Sequence, residues 1–241
     1  MAGFFEGLNP ILEGIQQAVN LLIALDPQIL RITALSLIIT LSAVLIGSVI
    51  SLPLGAGIAY GKFRGRNALI WIVQTLYAFP TVVIGLIVFL FLRNNGPFGS
   101  LDMLFTPQGM IIGQTVLVLP IITGLTISAL VAVDLTIRDT ITSLGATRMQ
   151  FLISAIKEAR FAILAAIALA FGRAISEVGA AIIIGGNIAS PGNFWTSTRT
   201  LTTAITLETG KGDIALSIAL GIILLLIALV VNVIISIVQN R

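Results

Sequence analysis

Five long stretches almost free of charge limit what this chain can fold into more than any other feature. They run approximately over residues 32–59, 68–92, 110–133, 161–185 and 214–238. About 20 consecutive apolar residues in a helix cover the hydrocarbon core of a bilayer. In that core the backbone has no water to bond to, and a helix satisfies its polar groups internally. The expected fold is therefore all-α and polytopic, with about five transmembrane helices. The stretch at residues 10–25 is shorter and is interrupted by Glu13, Gln16, Gln17 and Asn20. It reads as an amphipathic interfacial helix. This divides the chain into an amino-terminal segment, 1–27, and a membrane domain, 28–241. Residues 1–9 have no basic region and carry Glu6, so they do not read as a cleavable signal peptide.

Composition agrees with a lipid solvent. The chain is 57% apolar and 10% charged, with a mean hydropathy of +1.11, and so lacks the polar surface a soluble domain of this length needs. The net charge is only +3, so the high isoelectric point reflects few acids rather than a basic face, and nucleic acid is not an expected partner. With no Cys and no His, thiolate and imidazole chemistry is excluded, and no metal site or catalytic residue is expected. None of Lys62, Lys157 and Lys211 precedes a Ser or Thr, so the phosphate-binding GxxxxGK[ST] loop is absent.

An odd number of spans puts the termini on opposite sides. With the amino terminus outside, the cytoplasmic segments hold Lys62, Arg64, Arg66, Arg138, Arg148, Lys157, Arg160 and Arg241, against Arg31, Arg93, Arg199 and Lys211 outside. The positive-inside bias favours that orientation, with the carboxyl terminus cytoplasmic. Pro80 and Pro120 lie inside the second and third spans, where a missing backbone donor predicts kinks. Gly109 and Gly113 have GxxxG spacing, a weak signal in a chain with 23 glycines.

Residues 134–160 form a cytoplasmic segment longer than a plain connection requires. Residues 139–144 read as a short helix, Gly145 as its stop, and residues 147–160 as a second helix leading into span four. Met149, Leu152, Ile153 and Ile156 form one apolar stripe, leaving Arg148, Gln150, Lys157 and Glu158 to water or a partner. The segment resembles the EAAxxxG loop of importer-type ATP-binding-cassette (ABC) permeases. Asp139, Thr140 and Ile141 stand at the first three positions and Gly145 at the glycine, flanked by Leu144 and Ala146. The first triplet departs from the family pattern, and Glu158 replaces the proline of its usual Ile-x-Leu-Pro ending. The resemblance implies a coupling helix that docks on a separate ATPase, with Asp139, Leu144, Gly145, Ala146 and Arg148 as coupling residues.

In span four, Arg173 and Glu177 stand four residues apart on one helical face. Arg173 lies ~18 Å along the helix from Phe161 at 1.5 Å per residue, near mid-membrane. Two readings stand side by side: an ion pair that neutralises itself and fixes packing, or an arginine lining a pathway for a divalent oxyanion, held in place by its glutamate. Beyond the span, Gly185, Gly186 and Asn187 are placed to expose backbone amides as an anion-receptive nest. Residues 196–203 add a hydroxyl-rich strip around Arg199, read either as an extracellular gate or as an ordinary loop.

The run KEAR at 157–160, GRAISEVGA at 172–180, GGN at 185–187 and TRTLTTAI at 198–205 resembles tungstate-type permeases, with molybdate and sulfate permeases related. The resemblance implies an importer-type ABC transmembrane domain in the cell membrane. It further implies a homodimer of this chain, two copies of a cytoplasmic ABC ATPase that uses ATP and Mg, and an extracellular oxyanion-binding protein. No cofactor is expected on this chain itself. Tungstate, molybdate and sulfate remain open. So does an ion-coupled secondary transporter, for which Glu177 would be the sole acid well inside a span, and so does a membrane scaffold.

Overall fold

The structure, a computed structural model, describes residues 12, 14–16, 18–21, 23–24, 26–190 and 193–239. The interfacial helix expected over residues 10–25 falls partly outside them. Of its described residues, Ala18 is fully buried, in a cluster with Ile29, Leu201 and Leu220.

Helix α1, Pro27–Tyr60, starts where the Asp26 carboxylate accepts hydrogen bonds from the amides of Gln28 and Ile29, with Pro27 in its first turn. It stops at Gly61, and two of its last carbonyls, Ile58 and Ala59, accept bonds of 2.7 and 2.8 Å from the Arg66 guanidinium. Helix α4, Pro107–Val131, runs parallel to it. Met110 shares a cluster with Leu35 and Ile39 near one end, and Leu130 shares one with Ala56 and Ala59 near the other. Gly47, Ser51 and Gly55, spaced by four, bring the two backbones together. A Cβ on Gly47 would come within 2.7 Å of Val118 and one on Gly55 within 2.8 Å of Thr126. The Ser51 hydroxyl donates to the Leu119 carbonyl at 3.0 Å. In lipid such small-residue contact replaces hydrophobic burial as the source of association.

Among the described residues, three single helices, α1, α4 and α10 (Ile214–Gln239), are long and apolar enough to span, and two bent pairs bring the number to five if each pair is one span. Helices α2 (Arg66–Tyr77) and α3 (Thr81–Leu92) meet at 101°. Pro80 stands at the break as the cap of α3, where it cannot donate and where the residue before a proline disfavours the helical region. Pro120 and Pro53, by contrast, sit inside unbroken helices, so the expected kink is a full break at one proline and no break at the other. Helices α7 (Arg160–Ile175) and α8 (Gly179–Gly185) meet at 60°. In α3, Gly85 takes the α8 backbone at very close range, since a Cβ there would lie 2.6 Å from the Ala180 Cα. Gly113 of α4 likewise packs on Ile184, giving one glycine of the GxxxG pair a contact role.

Between α4 and α7 lie α5 (Leu135–Ser143) and α6 (Arg148–Glu158). The first starts four residues earlier than its apolar pattern suggests, because Asp134 caps it and accepts from the Thr136 amide at 2.6 Å. The second ends at Ala159 instead of running into span four. Finally, α9 (Leu201–Lys211) packs beside α10.

Candidate functional site

At the protrusion, Gly145 has φ +73°, a left-handed conformation that glycine adopts without steric cost. It turns the chain between α5 and α6. A reciprocal cap follows: the Gln150 amide donates to the Thr147 hydroxyl and the Thr147 amide to the Gln150 side chain. Ala155 and Ala159 bury the inner face of α6, and Phe151 packs edge-on against Tyr60 with centroids 4.9 Å apart. The expected single stripe is split. Leu152 and Ile156 pack inward, whereas Met149 and Ile153 are exposed, together with Leu144 at 82%. The buried side follows the small residues, which admit the closest helix approach. Asp139, Gly145 and Arg148 are exposed on the same protrusion, and Ala146 is half-buried. Hydrogen bonds from the Thr136 hydroxyl and amide hold the Asp134 carboxyl below the usual carboxylate range.

At the break in span four, Arg173 and Glu177 form an ion pair of 2.8 Å, with the glutamate side chain 2% exposed and the arginine 39%. The other carboxylate oxygen of Glu177 accepts from the Ala180 amide at 3.0 Å, so this side chain caps α8, which Val178 leaves uncapped. Its backbone carbonyl accepts from the Thr202 hydroxyl at 2.8 Å, which seats α9 on the break. The pair is therefore oriented, with the negative end buried in the helix junction and the positive end facing a cavity of about 660 Å³. Tyr77, Ser176 and Asn232 are the other polar side chains of that cavity, against walls that include Ile121 and Leu169. Tyr77 is admitted by Gly124, whose missing Cβ leaves the space its hydroxyl fills. Tyr77 and Asn232 were not expected from the sequence, since each is a single polar residue in an apolar run that only tertiary packing brings to Arg173.

Much of the expected amide nest is committed within the chain. Gly185 closes α8 and is buried against Met110, the Gly186 amide donates to Ile182, and the Ile188 amide donates to the Thr198 hydroxyl. Asn187 is turned inward and donates to the Thr203 carbonyl at 3.1 Å. The hydroxyl strip is equally committed: Thr198, Thr200, Thr202 and Thr203 are buried and bonded to neighbouring chain. Backbone and hydroxyl groups at a helix break bond to one another before they bond to anything else. Within the strip, Arg199 is 15% exposed and lies 3.7 Å from the buried Glu208, whose same oxygen takes Lys211 at 3.0 Å. Glu208 is a second buried acid beside Glu177. Its i,i+3 spacing to Lys211 was the available signal.

Comparison with known proteins places these features among transporters. The profile of the family described as "binding-protein-dependent transport system inner membrane component" matches residues 51–241. The chain is 41% identical over 191 residues to a probable anion ABC transporter permease protein of Haloferax volcanii, covering 79% of this chain and 82% of that one. It is 36% identical over 209 residues to the tungstate uptake system permease protein TupB of Peptoclostridium acidaminophilum, covering 87% and 89%. A crystal structure of a bacterial ABC transporter that imports the acidic polysaccharide alginate shares the fold. Its TM-score is 0.72 at 19% identity, over 100% of this chain and 93% of that one.

Proposed function

Because the chain belongs to the family of binding-protein-dependent transport system inner membrane components, we propose that it is the permease subunit of an ABC importer for a tetrahedral oxyanion, tungstate first. The observation that carries this reading is the Arg173 guanidinium, fixed by a buried glutamate and turned into a cavity within the span. A guanidinium suits an oxyanion because its fork of donors matches the spacing of two oxygens. Its charge is already partly balanced by Glu177, which keeps binding weak enough for release, as a pathway requires. The tungstate and anion permeases among the relatives support the substrate class. Arg173 and Glu177 are the pathway residues, with Gly185, Gly186, Asn187 and Arg199 as structural parts of a gate above them.

The chain sits with its amino terminus outside and carboxyl terminus in the cytoplasm, which places the basic segments and the α5–α6 protrusion on the cytoplasmic side. Leu144, Met149 and Ile153 are apolar and exposed there, as a surface docked on another protein would be. The partner is a cytoplasmic ABC ATPase in two copies, which binds ATP and Mg and hydrolyses the nucleotide. Asp139, Leu144, Gly145, Ala146 and Arg148 transmit its motion to two copies of this chain. A binding protein delivers the oxyanion from outside, and the two protrusions swing the spans between outward and inward openings.

The test is ATP hydrolysis by the ATPase reconstituted with this chain in liposomes. Tungstate-loaded binding protein is expected to stimulate it. Gly145→Val, strained by about 1–2 kcal/mol at its positive φ, is expected to abolish the stimulation while the subunits still co-purify. Hydrolysis indifferent to this chain would end the permease reading.

A further inference from the structure

Arg173 does not face its cavity alone. Tyr77, the last residue of α2, and Asn232, in the second half of α10, reach the same space from two other elements. Neither side chain has a hydrogen-bond partner among the described residues. A hydroxyl or amide at membrane depth is costly unless something completes its hydrogen bonds, and a tyrosine hydroxyl withdrawn from water normally finds a partner. Ser176 differs, because its hydroxyl donates to the Arg173 carbonyl at 3.1 Å and its proton is spent there. Arg173 uses Nη1 on Glu177, which leaves Nε and Nη2 as donors for a ligand. The acid that would compete for them, Glu177, has one oxygen on Arg173 and the other on the Ala180 amide. The unspent donors of the cavity are therefore those of Arg173, Tyr77 and Asn232.

Helix packing fixes where these three stand. Tyr77 precedes the 101° break between α2 and α3, and its hydroxyl lies where a side chain on Gly124 of α4 would be. Ala168 and Gly172, one turn apart on α7, keep the wall beside Arg173 thin. Helix α10 packs on α7 through Leu224, Ile227 and Val231, which join the cluster of Phe171 and Ala174, and this brings Asn232 to the cavity. At roughly 30 Å³ per water, the volume of about 660 Å³ holds a tetrahedral ion with part of its hydration shell.

Resting on the permease reading, we propose that Tyr77 and Asn232 are substrate-contacting residues that complete the oxyanion site at Arg173. The guanidinium takes one edge of a tetrahedral dianion through Nε and Nη2. The Tyr77 hydroxyl and the Asn232 amide donate to the remaining oxygens. Both added donors are neutral, so they orient the ion without adding charge that would hold it back from release.

The experiment measures equilibrium binding of sodium tungstate to the purified permease–ATPase complex without binding protein, by dialysis and elemental analysis. Stimulation of ATPase activity by tungstate-loaded binding protein is followed in parallel. Tyr77→Phe keeps the ring beside Gly124 and removes only an unpartnered hydroxyl, and Asn232→Leu places an apolar residue in an apolar helix, so both variants are expected to fold. Each is expected to weaken tungstate binding about three- to tenfold, the worth of one hydrogen bond. Thr75→Val, which removes an α2 hydroxyl bonded to the Trp71 carbonyl and outside the cavity, is expected to leave binding unchanged. Wild-type binding by Tyr77→Phe and Asn232→Leu overturns the proposal, while intact ATPase stimulation leaves the permease reading standing. A loss in Asn232→Leu matched by loss of co-purification with the ATPase or with a second copy overturns the role of Asn232, because it would then hold subunits together. A wild type that is stimulated but binds no tungstate overturns the site alone. Absence of stimulation in the wild type removes the permease reading, and these two contacts with it.

Discussion

A carboxylate held 2% exposed within a span must be neutralised where it stands, and Glu177 meets that demand with Arg173 on one oxygen and the Ala180 amide on the other. Removing one member leaves the other charged and unpaired. Glu177→Gln keeps an acceptor for Ala180 but strands Arg173, and the expected loss is about 1–3 kcal/mol, lessened because the arginine is partly solvated. Adding Arg173→Met is expected to recover most of it, as read by thermal unfolding in detergent. A double variant less stable than Glu177→Gln alone would show that the pair does not act as a unit. The four-residue spacing made this pair legible in the sequence, because one helix fixes both side chains. Its polarity was not legible, since only the packing of α8 and α9 decides which charge is buried.

The helices themselves were read well where apolar runs are long and less well where they break. A run of apolar residues has the same composition whether one helix or two carry it. Proline permits the 101° turn at Pro80, yet the helix runs unbroken through Pro120, so a proline alone does not decide where a span breaks. Glycines make the same point. Gly85→Ala is expected to cost about 1–3 kcal/mol by overpacking, because its Cβ would lie 2.6 Å from the Ala180 Cα. Gly57→Ala, with nothing within 4 Å, is expected to be neutral or to stabilise by about 0.5–1 kcal/mol through its lower backbone entropy. Thermal midpoints of the two variants in the same detergent check the contrast; equal midpoints would mean that the α3–α8 contact yields freely.

For the whole molecule, the chain's lack of cysteine gives a direct test of how it lies in the membrane. Ser143→Cys, on the α5–α6 protrusion, is expected to react with a membrane-impermeant thiol reagent only after the cytoplasmic face is opened, and Asn193→Cys in intact cells. The reverse pattern would invert the proposed orientation and put the α5–α6 protrusion outside. The sequence by itself determined the solvent, the helical class and the turn at Gly145, because hydrophobic length and local backbone chemistry are properties of consecutive residues. Tertiary structure alone decided that Tyr77 and Asn232 join Arg173 around one cavity, and that the threonine strip is spent inside the protein. Those arrangements depend on residues far apart in the chain, whose meeting is set by which helix surfaces are small enough to come together.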